Sequence, residues 1–136
     1  MDSVTKFEDL RVRQNARKLA NMIYDFSSVG DFARDFGLRD QMRRAAVSVM
    51  SNIAEGFESR TQALFIEYLG RAKASAGELR AQLYLALDRK YIDENQMQNA
   101  HELTRICSGQ MVNLSRYLKS QPNSSRLNED GENYDV

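Results

Sequence analysis

A single proline, Pro122, and only seven glycines interrupt 136 residues. So few breakers favour long helices over many short strands joined by turns. The apolar residues agree. From about Leu10 to Ser27, Val12, Ala16, Leu19, Ala20, Ile23 and Phe26 fall on one face at 100° per residue. Asp9 is the expected cap, and Ser27-Ser28-Val29-Gly30-Asp31 the expected stop. A second stripe, Leu38, Met42, Ala45, Ala46, Val49 and Ile53, predicts a helix over 38–55 that Gly56 ends. The third segment, 61–89, starts at a Thr61 cap. It carries Leu64, Phe65, Tyr68, Leu69, Ala72, Ala76, Leu79, Leu83, Ala86 and Leu87. The fourth, 94–120, opens on Asp93-Glu94-Asn95-Gln96, a capping box with Asp in the Ser/Thr place. Met97, Ala100, Leu103, Cys107, Met111, Leu114 and Leu118 point inward there, and Pro122 stops it.

Four helices joined by short loops pack antiparallel, which predicts an all-α, up-down-up-down four-helix bundle over residues 1–121. Residues 122–136 are polar and acidic and are expected to be a disordered tail. A monomeric bundle needs one apolar stripe per helix, yet two segments carry more. Val47, Met50, Ala54 and Phe57 lie about 100° from the core stripe of the second segment. In the third, Ile66, Gly70, Ala74, Gly77, Ala81 and Tyr84 form another line. A glycine inside a helix costs about 1 kcal/mol against alanine, so Gly70 and Gly77 suggest a close backbone approach. The partner is either a helix of the same chain or another subunit. Extra apolar faces on two helices favour a homo-oligomer, with Val47, Met50, Ala54, Phe57, Gly70, Ala74, Gly77 and Ala81 at the interface.

Catalytic and metal chemistry find little support. One Cys makes neither an internal disulfide nor a thiolate metal site. A di-iron bundle needs Glu-x-x-His pairs, and the residue three before the single His101 is Gln98. Cys107 lies on a core face, where a thiol is inert. No phosphate-binding glycine loop occurs. The expectation is therefore no enzyme, no catalytic residue, no metal and no cofactor. The longest runs without charge, Ala45–Ala54 and Ile106–Ser115, are ten residues each, against about 20 for a membrane span. The start has no apolar h-region. A cytoplasmic protein without a membrane partner is expected.

Net charge is zero but unevenly spread. Residues 1–9 carry −2 and residues 126–136 carry −3, leaving +5 on the body between them. Arg39 and Arg43 are one turn apart, and Arg44 lies on the polar stripe of the second segment. Arg13, Arg17 and Lys18 sit outside the core stripe of the first, and Arg71, Lys73 and Arg80 outside that of the third. Such cations are either solvated surface charges or, multiplied around an oligomer, a field that holds phosphates without reading sequence.

Three blocks carry a resemblance: Phe7-Glu8-Asp9-Leu10-Arg11-Val12, Gly37-Leu38-Arg39-Asp40-Gln41-Met42-Arg43-Arg44-Ala45-Ala46-Val47-Ser48, and Ser51-Asn52-Ile53-Ala54-Glu55-Gly56. In order and spacing they resemble the four-helix-bundle proteins encoded by intervening sequences in 23S ribosomal RNA genes of bacteria. The likeness spans about residues 6–120. It implies a barrel-like homopentamer. It also implies kinship with the accessory variability determinant of diversity-generating retroelements, which binds nucleic acid through a basic surface and partners a reverse transcriptase. Where that family usually has Trp, this chain has Arg13, and where it usually has Pro, this chain has Met50. Losing the proline should restore a backbone hydrogen bond and straighten the helix.

The expected function is a non-enzymatic homopentameric accessory protein that binds RNA or DNA without sequence preference. Arg39, Arg43, Arg44, Arg13, Arg17 and Lys18 are its contact residues, and a larger nucleic-acid-processing protein is its expected partner. The alternative is a protein-interaction scaffold with no nucleic-acid role.

Overall fold

The structure, a computed structural model, describes residues 3–122, with side-chain surroundings from Arg11 onward. The tail expected to be disordered lies outside them. Five helices follow in order: α1 (Ser3–Phe26), α2 (Gly30–Arg34), α3 (Phe36–Glu58), α4 (Gln62–Asp88) and α5 (Glu94–Ser120). α3 packs on α4, α4 on α5, and α1 on both α3 and α5. The result is an all-helical bundle.

Its core has two halves. In one, Leu19 and Ile23 of α1 meet Met42 and Ala46 of α3, Leu79 and Leu83 of α4, and Met97 and Ala100 of α5. In the other, Val12 and Ala16 meet Val49 and Ile53, Phe65 and Leu69, and Met111 and Leu114. Each long helix thus feeds both halves along one stripe of three-and-four spacing, which is what buries an amphipathic helix.

Several local features differ from the periodicity reading. α1 starts at Ser3 rather than near Leu10, so Asp9 lies inside the helix rather than at its start. No proline or glycine stands between Ser3 and Asp9 to break it. Leu64 is 40% exposed rather than inward. It sits about 100° round the helix from Phe65, and Phe65 takes the core position. Gly56 does not stop α3; the helix continues to Glu58, and Gly56 is buried within it. α3 also runs unbroken through Met50.

The segment read as a plain turn contains α2. Gly30 opens it at φ +60°, a conformation side chains rarely adopt. That places Phe32 in the core at 1% exposure, stacked on Tyr91 with ring centroids 5.2 Å apart. The Tyr91 hydroxyl donates to Asp35 Oδ2 at 2.9 Å, and Asp35 Oδ1 accepts from the Leu38 N–H at 3.1 Å as the N-cap of α3. The α4–α5 loop is thereby pinned to the start of α3.

The Leu38 N–H and then the Tyr91 hydroxyl favour the ionised Asp35, with Arg89 adding to them and burial opposing. The carboxyl is held below its ordinary value of 3.8. A depressed folded pKa contributes stability above the unfolded pKa that is lost as pH falls through the folded one. Asp35→Asn should therefore flatten the loss of stability below about pH 4. Urea midpoints measured from pH 6 to pH 2 check this; parallel curves for both proteins would refute it.

Candidate nucleic-acid interface

The basic residues divide into those committed to the fold and those free to meet a ligand. Arg43 is committed. Its Nε donates to Ser27 Oγ at 2.8 Å, and Nη2 donates to the Ser27 carbonyl at 3.3 Å and Ser28 Oγ at 3.2 Å. Its guanidinium lies 4.5 Å over the Tyr24 ring. The carbonyls ending α1 have no intrahelical donor, and Arg43 reaches across from α3 to that end. Arg39 does similar work for α2. Nη1 donates to the Ala33 carbonyl at 3.0 Å, Nε pairs with Asp40 at 2.9 Å, and the guanidinium lies 4.7 Å over Phe36.

Arg44, Arg17 and Lys18 differ. Their side chains are exposed, and none forms an ion pair among the described residues. Arg13 is exposed too, with its guanidinium 4.2 Å over Phe57. Tyr24, Asp40, Arg43, Arg44, Val47 and Ser48 line a shallow groove of about 630 Å³ at the α1–α3 junction. Phe57, which meets Arg13, lies about 21 Å farther along α3 than Arg43. The six cations therefore do not converge. Arg13, Arg43 and Arg44 lie where α1 meets α3, whereas Lys18 stands about 140° round α1 from Arg13.

Of the residues expected at an oligomer interface, Val47, Met50, Phe57 and Gly77 are half-buried, and Ala54, Gly70, Ala74 and Ala81 exposed. Met50 and Phe57 pack partly on the core, Phe57 edge-on to Phe65 at 4.7 Å. A Cβ added at Gly70 would meet nothing within 4 Å, and one at Gly77 only Arg80 Nη2 at 3.8 Å. Among the described residues, no helix approaches Gly70 or Gly77 closely. The two lines open on different sides: Val47 beside α1, and Gly70 beside α5.

One feature escaped periodicity. Between α4 and α5 lies a groove of about 450 Å³ that Lys73, Arg116 and Lys119 line. Lys73 stood out as a surface cation, but Arg116 and Lys119 belong to another helix, 43 or more residues away. Their i,i+3 spacing in the last turns of α5 was the available signal.

Cys107 is fully buried, and burial pushes its thiol up to about 11. It should resist thiol reagents in the native protein and react only on unfolding; rapid labelling at neutral pH in buffer would refute this. Among the described residues no group of three His, Cys, Asp or Glu side chains could hold a metal ion. Nor is any helix there long and apolar enough to cross a membrane.

Fold and surface together define a helical bundle whose free cations line its flanks. A family model for the 23S rRNA-intervening sequence proteins matches residues 8–113, and the chain belongs to that family. Similar in fold is a crystal structure of a protein of unknown function from the S23 ribosomal protein family of Bacteroides thetaiotaomicron VPI-5482. Its TM-score is 0.75 at 21% identity, covering 80% of this chain and 98% of that one. No curated protein matches the chain.

Proposed function

We propose that this chain forms an up-down-up-down four-helix bundle that assembles as a homopentamer and binds RNA or DNA without reading its sequence. It has no enzymatic activity in this reading. It serves in the cytoplasm as an accessory to a larger nucleic-acid-processing protein, akin to the accessory determinant of diversity-generating retroelements. The observation that carries the reading is the set of exposed cations, Arg44, Arg17 and Lys18, with no carboxylate paired to them among the described residues. Repetition of that set around a ring turns a modest charge into a polyanion-binding field. Base readout is not part of the reading, because the exposed rings already have partners: Arg43 lies over Tyr24, Arg39 over Phe36, and Tyr84 meets His101 edge-on.

The test is light scattering with the 260/280 nm absorbance ratio across the same peak, followed by titration with a mixed-sequence RNA and DNA. A five-fold mass, and affinity that falls by orders of magnitude between about 50 and 200 mM salt, is expected. A 15.6 kDa species that binds neither would end the proposal. Tyr84 at 52% exposure and Leu85 at 49% favour a second reading, a protein-interaction scaffold. A tight protein partner retained after nuclease treatment and insensitive to salt would select it.

A further inference from the structure

We propose that the acidic segment 123–136 of this chain docks into the cationic groove between α4 and α5. Lys73 stands on α4, and Arg116 and Lys119 on α5, with no carboxylate among the residues lining the groove. Apolar side chains, Ile66, Leu69, Met111 and Val112, provide the rest of its lining. The groove therefore suits an anionic ligand that also carries apolar groups.

The segment has that composition. Glu129, Asp130, Glu132 and Asp135 stand against the single Arg126, and Leu127, Tyr134 and Val136 are interspersed. Its net charge of −3 matches the three cations of the groove. Geometry permits the return. α5 ends at Ser120, one residue beyond Lys119. From Lys119 back to Val112 is about 10 Å along the helix. Pro122 to Glu129 extends to at most about 25 Å. Tethering supplies an effective concentration of order mM, so individually weak contacts suffice. The docked segment would occupy these cations and withhold them from any external polyanion.

Paramagnetic relaxation in the full chain tests this. A nitroxide on Asn133→Cys labels one site only, because Cys107 is buried with a raised pKa. At low salt the amide signals of residues 66–73 and 112–119 should broaden selectively. The broadening should vanish in the variant carrying E129Q, D130N, E132Q and D135N. It should also vanish in Gly70→Leu, which fills the groove from a position where an added Cβ meets nothing within 4 Å. Unbroadened groove signals would overturn the proposal, as would broadening that survives charge removal or lies on the α1–α3 face. Groove broadening between separately labelled chains in a mixed sample would also overturn it, by assigning the segment to a neighbour's groove. No nucleic acid enters the readout, so this result and the polyanion reading stand or fall separately.

Discussion

Gly56→Val is expected to lower folding stability by about 2–3 kcal/mol, as overpacking a close-packed site does. A Cβ at Gly56 would sit 2.9 Å from Phe65 Cδ1, 3.1 Å from Cε1 and 3.4 Å from Tyr68 Cβ. Phe65 has no exposed surface, and Phe57 packs edge-on against it, so its ring has little room to retreat. The end of α3 can lie against the start of α4 only because position 56 lacks a side chain. Gly56→Ala should lose less, because alanine regains about 1 kcal/mol of helix propensity. Urea unfolding of the three proteins measures the series. A valine variant as stable as the parent would show that the two helix ends separate at little cost.

Arg43→Ala is expected to cost about 2–3 kcal/mol, whereas Arg44→Ala next to it should stay within about 0.5 kcal/mol of the parent. Arg43 donates to one carbonyl and two hydroxyls at the end of α1 and stacks on Tyr24. Its loss leaves the buried Ser27 hydroxyl with one partner fewer. Lysine cannot replace it, because an ammonium lacks the planar fork that spans Ser27 and Ser28. On the proposed polyanion-binding reading, the order reverses in titrations. Arg44→Glu should weaken binding to every sequence and flatten the salt slope without altering the melting curve. If Arg43→Ala leaves stability unchanged, or Arg44→Glu leaves affinity unchanged, the division between committed and free arginines is wrong.

The all-helical class was legible because the core stripes repeat at helical spacing and almost nothing interrupts them. Met97, Ala100, Leu103, Cys107, Met111, Leu114 and Leu118 are the clearest case; all are buried on α5. α2 was not legible. Five residues are too few to show a period, and Phe32 finds its place among core residues of other helices and against Tyr91, 59 positions later. The basic site was half legible. Sequence marks Arg39, Arg43 and Arg44 as equivalent surface cations, and nothing in their spacing reveals that the first two reach carbonyls at the ends of other helices.

By itself, then, the sequence determined which face of each long helix turns inward, since burial of apolar surface depends on a periodicity written along the chain. The family blocks lie within that same pattern. Tertiary structure alone decided what the glycines and arginines do. Gly56 admits Phe65 to the core, while Gly70 borders an open groove. Arg43 closes the end of α1, while Arg44 faces solvent. A residue's neighbours across a bundle come from other helices, and the spacing within its own helix carries no record of them.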